Sequence, residues 1–116
     1  MSELKIFQIE RPWGNFRQFI ANSSCTVKII TILPNESLSL QSHEKRGEFW
    51  RVLSGSGVIE VGDMKYTVSI GEEHQCPPAV KHRMSAGGEG MTLLEVATGE
   101  FDENDITRYQ DKYGRA

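Results

Sequence analysis

Leu38–Gly55 reads L-S-L-Q-S-H-E-K-R-G-E-F-W-R-V-L-S-G. Leu38–His43 alternates apolar and polar residues, the period-2 pattern of a strand with one face toward a core. That alternation places Ser39, Gln41 and His43 on one face. The short loop Glu44–Gly47 then turns the chain, and a second strand-like run begins at Glu48, with Trp50 and Val52 on the face of Glu48. Two adjacent antiparallel strands would aim Gln41, His43 and Glu48 at one point. An amide oxygen, an imidazole and a carboxylate converging there suit a divalent cation. A lone His beside a Glu in a hairpin is ordinarily surface chemistry, so the reading needs a second segment. Gly71–His82 supplies it as G-E-E-H-Q-C-P-P-A-V-K-H, a turn residue, a Pro-Pro pair and a His where another hairpin would close.

The remaining chain is consistent with one small all-β domain over residues 1–116, enough for one hydrophobic core. Eleven glycines, four prolines and short apolar runs favour many brief strands. A formal net charge of −3 gives no basic field, so nucleic acid is not an expected partner. No run of 18 apolar residues and no signal-peptide core occurs, which points to no membrane partner and a cytoplasmic location. Cys25 and Cys76 lack C-x-x-C spacing and read as reduced thiols, with a disulfide left open.

Taken in order, Leu4–Glu10 is a short strand and Trp13 either a core aromatic or an outer anchor. Cys25–Leu33 is β-branched and strand-like, and Ser54–Gly57 reads as a hairpin turn. Val58–Val61 and Lys65–Ile70 form a hairpin through Gly62-Asp63. Glu72–His74 is read as a solvated loop, Ala86–Gly90 as a turn and Met91–Ala97 as a last strand. Asp105 can cap a short helix over Ile106–Lys112, with Gly114 as its stop. Turns at such spacing point to a jelly-roll barrel.

The two segments resemble the paired motifs of the cupin superfamily. Asn35 stands where the first motif has Gly, Gln41 at its first His, and His43, Glu48 and Gly55 fall at matching spacing. In the second motif Gly71, Pro77 and His82 match, while Ala79 and Ala86 replace the usual Gly and Asn. The flanks narrow the resemblance. R-P-W-G at Arg11–Gly14, V-K at Val27-Lys28, R-x-E-x-W at Arg46–Trp50, H-R at His82-Arg83, L-E-V at Leu94–Val96 and D-I-x-R-x-x-D-x-Y-G-R at Asp105–Arg115 occur together. That set is similar to the isomerase domain of type II mannose-6-phosphate isomerases, including the C-terminal domain of bifunctional mannose-1-phosphate guanylyltransferases. Phe49 stands where the family often has His, Cys76-Pro77-Pro78 where an Ile-Pro start is common, and Ala97 where Gln is frequent.

The resemblance implies a cupin jelly-roll β-barrel that isomerises a phosphorylated hexose, mannose 6-phosphate to fructose 6-phosphate, through an enediolate. It implies no guanylyltransferase activity, since the chain leaves no room for that domain. One divalent ion (Zn, Mn, Co, Ni or Fe) would be held by Gln41, His43, Glu48 and His82. Glu95 is the candidate base, with an outward-facing carboxylate as the alternative. Arg46 is the candidate catalytic cation at the pocket mouth, with a solvated surface charge as the alternative. Lys28, Lys81 and Arg83, with Ser39, are further candidates for substrate contacts. A different cupin enzyme, an oxygenase or epimerase, or a sugar-binding module without turnover remain as rival readings. The apolar, aromatic segment Leu4–Ile20 is expected to make the protein a homodimer.

Overall fold

The computed structural model describes residues 4–114, which hold nine strands and no helix. The strands are β1 (Phe7–Arg11), β2 (Gly14–Gln18), β3 (Cys25–Ile32), β4 (Leu40–Ser42), β5 (Arg46–Val61), β6 (Met64–Ser69), β7 (Glu73–Cys76), β8 (His82–Gly99) and β9 (Thr107–Gln110). β1 and β2 make a hairpin that, among the described residues, pairs with no other strand. Its tip leaves Trp13 73% exposed, so Trp13 is not a core aromatic.

The barrel is built on one long antiparallel pair. β5 has 16 residues and β8 has 18, and they stay paired from Arg46↔Gly99 to Val61↔His82. Register shifts between Val52/Ser54 and Gly55/Gly57 mark bulges in this ladder, devices that bend a strand without ending it. The expected turn at Ser54–Gly57 is therefore continuous strand. Gly57 is needed for a close approach: a Cβ there would lie 2.1 Å from the Ser85 carbonyl oxygen. Ala86–Gly90 likewise lies within β8 and is not a turn.

On one side β5 pairs with β6 and β7, and β8 pairs with β3 and, through Gln41↔His82, with β4. The strand bearing Gln41 is thus not hydrogen-bonded to the strand bearing Glu48, because β8 lies between them. The apolar side chains of these strands meet in one core of Trp50, Val52, Ile59, Val68, Met84 and Leu93. Among the described residues no helix is long and apolar enough to cross a membrane.

Two further expectations are corrected. The segment read as a helix over Ile106–Lys112 forms β9, which pairs with β4 through Gln41↔Arg108 and Ser42↔Thr107. The exposed edge of β4 offers unpaired backbone groups, and satisfying them outweighs a weak local helix preference. Glu73 and His74 are not in a loop either. They lie in β7, where Glu73 bonds Arg17 and Arg51 and His74 stacks on Tyr66 at 4.3 Å.

Both positions at which the chain departs from the glycine of the cupin motifs still take a glycine-like backbone. Asn35 has φ 60° and Ala79 has φ 67°. Asn tolerates that region through its short polar side chain, whereas Ala carries the full Cβ clash. The Ala79 N–H donates to the His43 carbonyl at 2.7 Å, which holds the strained turn against the barrel. Ala79→Gly is expected to raise stability by about 1 kcal/mol, the strain relieved less the extra chain entropy of glycine. Urea denaturation reads this as a higher midpoint at unchanged slope. An equal or lower midpoint would show that the turn is not strained.

Candidate metal centre

Each donor residue is delivered by a different part of the barrel. Gln41 sits in β4 directly opposite His82, the first residue of β8. His43 follows β4, and Glu48 lies in β5. His43, Glu48 and His82 are all buried, and one donor atom from each lies within 4.8 Å of the others. Glu48 Oε1 is 3.0 Å from His82 Nε2 and 3.5 Å from His43 Nε2.

Both imidazoles are held by the nitrogen that faces away from Glu48. His43 Nδ1 lies 2.7 Å from the Asp105 carbonyl, and His82 Nδ1 lies 3.3 Å from the Val80 carbonyl. A carbonyl only accepts, so each Nδ1 carries the proton, and in the neutral ring the Nε2 lone pair points at the carboxylate. An outer hydrogen bond that fixes the tautomer is the usual support of a metal-ligating histidine. Asp105, expected to cap a helix, instead accepts from the backbone N–H groups of Glu44 and Lys45 at 2.9 Å, bracing the turn after His43.

A cavity of about 200 Å³ opens over Glu48 and His82, lined also by Lys28, Ser39, Gln41, Arg46, Glu95 and Arg108. Gln41 therefore shares the cavity with Glu48 and His82, and its Nε2 faces the Ser39 carbonyl at 3.5 Å. Ser39 is buried, its Oγ without a hydrogen-bond partner among the described residues. A larger hollow of about 470 Å³ lies between Arg17, Phe49, Tyr66 and His74. It contains none of the clustered donors.

Glu95 points inward, which resolves the alternative left open by the sequence. It is 5% exposed and accepts from Trp50 Nε1 at 3.0 Å. Burial, then the neighbouring charge of Glu48, raises its pKa to about 7. Burial alone would also raise Glu48, but hydrogen bonds from His82 and Glu95 outweigh it and hold Glu48 well below the usual carboxylate range. His82 shows the converse. Burial disfavours its charge, yet the Cys76 thiol and Glu48 raise it to about 9. For His43 burial prevails and lowers the pKa, with the Asp105 carbonyl and Glu48 opposing. The carboxylate thus stabilises positive charge at the meeting point of three donors, and a divalent ion can take the place of a proton there. Two imidazole nitrogens, a carboxylate and an amide fit such an ion.

Arg46 is buried at the start of β5, not in a loop, and its guanidinium reaches His43, Glu48, Asp102 and the Phe101 ring. Lys28 lines the cavity, with Nζ 4.2 Å over Phe101 and 3.5 Å from Glu103. Lys81 and Arg83 are not brought into the lining. Lys81 lies over Tyr109, and Arg83 bonds Glu60 and Gln110. The sequence reading missed Arg108 and Trp50 as site residues. Arg108 stood in the D-I-x-R run, but a helical reading of that run hid which side chains turn inward. Cys25 and Cys76 are both free thiols.

Residues 2–111 match the family described as mannose-6-phosphate isomerase C-terminal. The chain belongs to that family. Among the family's curated relatives, it is 36% identical over 110 residues to the xanthan biosynthesis protein XanB of Xanthomonas campestris, covering 93% of this chain and 24% of that protein. It is 34% identical over 111 residues to a mannose-1-phosphate guanylyltransferase of Escherichia coli, covering 93% of this chain and 23% of that protein. The chain thus spans about a quarter of the length of these relatives. Among solved structures, the capsular polysaccharide assembling protein CapF of Staphylococcus aureus superposes with a TM-score of 0.68 at 22% identity, over 93% of this chain and 33% of that one. A cupin protein of Bacteroides fragilis gives 0.61 at 17% identity, over 90% and 88%. At those identities the likeness shows the fold, a cupin barrel.

Proposed function

We propose that this member of the mannose-6-phosphate isomerase C-terminal family interconverts an aldose and a ketose phosphate, mannose 6-phosphate and fructose 6-phosphate, at a divalent ion. The observation that carries the reading is the buried His43–Glu48–His82 cluster, with a second carboxylate, Glu95, in the cavity that Glu48 and His82 line. Gln41, His43, Glu48 and His82 would hold the ion, which when bound polarises the sugar carbonyl and lowers the cost of the enediolate's negative charge.

Glu95 stands beside the donor cluster and is anchored by the Trp50 N–H on one oxygen. That placement suits the proton carrier, taking the proton from C2 and returning it to C1, with the O2 hydroxyl proton passing to O1. Burial and the Glu48 charge raise its pKa before an ion is bound, the direction a proton shuttle needs, and a bound ion would draw it back down. Lys28, Arg46 and Arg108 supply positive charge to the cavity wall and suit an anionic substrate.

The test is conversion of mannose 6-phosphate followed by NMR on metal-reconstituted protein, beside Glu95→Gln. Wild type is expected to form fructose 6-phosphate. Glu95→Gln is expected to keep its metal while kcat falls about a hundredfold or more, the usual contribution of a positioned acid–base group. Binding of the sugar phosphate without product would replace this reading with a binding module, and oxygen consumption would replace it with an oxygenase.

A further inference from the structure

Arg46 stands closer to the donor atoms than a substrate-binding cation needs to. Its Nη2 lies 3.2 Å from His43 Nε2, and its Nε lies 3.5 Å from Glu48 Oε2. Because His43 Nδ1 carries its proton toward the Asp105 carbonyl, Nε2 has one lone pair, and the guanidinium N–H points at it. A divalent ion bound by His43 needs that same lone pair. The two cations also draw on the same carboxylate, and both cannot be neutralised by it at full strength.

We propose that Arg46 is a built-in competitor for the metal, a guanidinium that must leave His43 Nε2 before an ion can be bound there, and that thereby sets the affinity of the site. This rests on the metal reading above and adds a regulating residue to it. The geometry offers the displaced side chain support that is independent of the donors. Nη1 donates to the Asp102 carbonyl at 3.1 Å, and the guanidinium carbon sits 4.2 Å from the centre of the Phe101 ring. The Asp102 carbonyl lies outside the donor set and can follow the side chain outward, whereas the Phe101 face holds the guanidinium in the position where it meets His43. Among the described residues Nε has no hydrogen-bond partner, only the 3.5 Å ion pair with Glu48, so the side chain is not locked at every donor.

The competition has a sign that a purely substrate-binding Arg46 would not produce. Removing a ligand-side contact ordinarily weakens a metal site, whereas removing a competitor strengthens it. Wild type, Arg46→Met, Phe101→Ala and Lys28→Met are each titrated with zinc(II) against a chromophoric chelator. Lys28→Met controls for the loss of one positive charge in the cavity wall. Arg46→Met is expected to bind zinc about tenfold or more tightly than wild type, the equivalent of one charged hydrogen bond released. Phe101→Ala, which loosens the guanidinium without removing it, is expected to move the same way by about threefold, and Lys28→Met by less than either. Zinc affinity in Arg46→Met no greater than in Lys28→Met would overturn the proposal while leaving the metal site intact. No zinc binding by any of the four proteins would overturn both. Should Arg46→Met fail to fold, Phe101→Ala decides alone, and an affinity no tighter than that of Lys28→Met overturns the proposal.

Discussion

Glu48→Gln is expected to lose metal affinity by more than about a hundredfold and, with it, turnover. The magnitude exceeds the roughly 10–100-fold that outer supporting contacts contribute, because on the proposed reading Glu48 is itself a ligand. It is the one carboxylate of the three-residue cluster, buried between two imidazoles at 3.0 and 3.5 Å. Glutamine keeps the shape and volume but removes the charge that holds positive charge at this point. In one of its two orientations it also turns an N–H toward His82 Nε2. The fold should survive, because His82 can lose its proton once the carboxylate is gone. Glu48→Ala differs, since it adds a cavity to the loss of charge. The measurement is equilibrium dialysis with elemental analysis, alongside circular dichroism to confirm folding. A folded Glu48→Gln protein that binds one ion with wild-type affinity would remove Glu48 from the site.

Gly57→Ala is expected to destabilise the barrel by about 3 kcal/mol or more. An alanine in place of glycine inside a strand normally gains about 0.5–1 kcal/mol, because glycine loses more freedom on folding. Here the sign reverses for a steric reason. The added methyl would meet the Ser85 carbonyl oxygen at 2.1 Å and the Ala86 Cα at 3.1 Å, both backbone atoms of the paired strand β8. Gly57 does not take a positive φ, so backbone strain plays no part. The bulge would have to open, and the adjoining Ile59↔Met84 pair carries two core side chains with it. Guanidinium unfolding of the variant checks the size. A loss under about 1 kcal/mol would mean that the two strands can part at little cost.

The residues with chemical character were legible because their spacing survives any detail of the turns. Gln41, Glu48 and His82 line one cavity, His43 joins Glu48 and His82 in a cluster of donor atoms, and strands lie on either side of the turn at 43–45. What the sequence hid was strand length and adjacency. Glycines at positions 55, 57, 87, 88 and 90 look like turn signals, yet in β5 and β8 they permit bulges and close approach. Local pattern also cannot reveal that β8 inserts between the strands of Gln41 and Glu48, since pairing partners are set by packing across the whole chain. The C-terminal segment failed for the same reason. Ile106, Tyr109 and Tyr113 have helical spacing, but the unpaired edge of β4 was a stronger claim on that backbone. The motif singles out Arg46 as a candidate functional cation. Its burial against His43 could only be seen in three dimensions.

The long β5–β8 pair has a mechanical consequence. Because the same two backbones run past β7 and β3 at one end and past β6 and β4 at the other, the two halves of the sheet are joined through continuous chain and not through side-chain packing alone. Opening the cavity by swinging one wall away would bend both long strands at their bulges and break ladder bonds on either side. Ligand exchange in such a body is left to the rims, the segments 33–39, 43–45 and 100–106 that border the donors without belonging to a strand. The walls hold their spacing while the edge residues do the yielding, as with a rigid ring closed by a soft gasket.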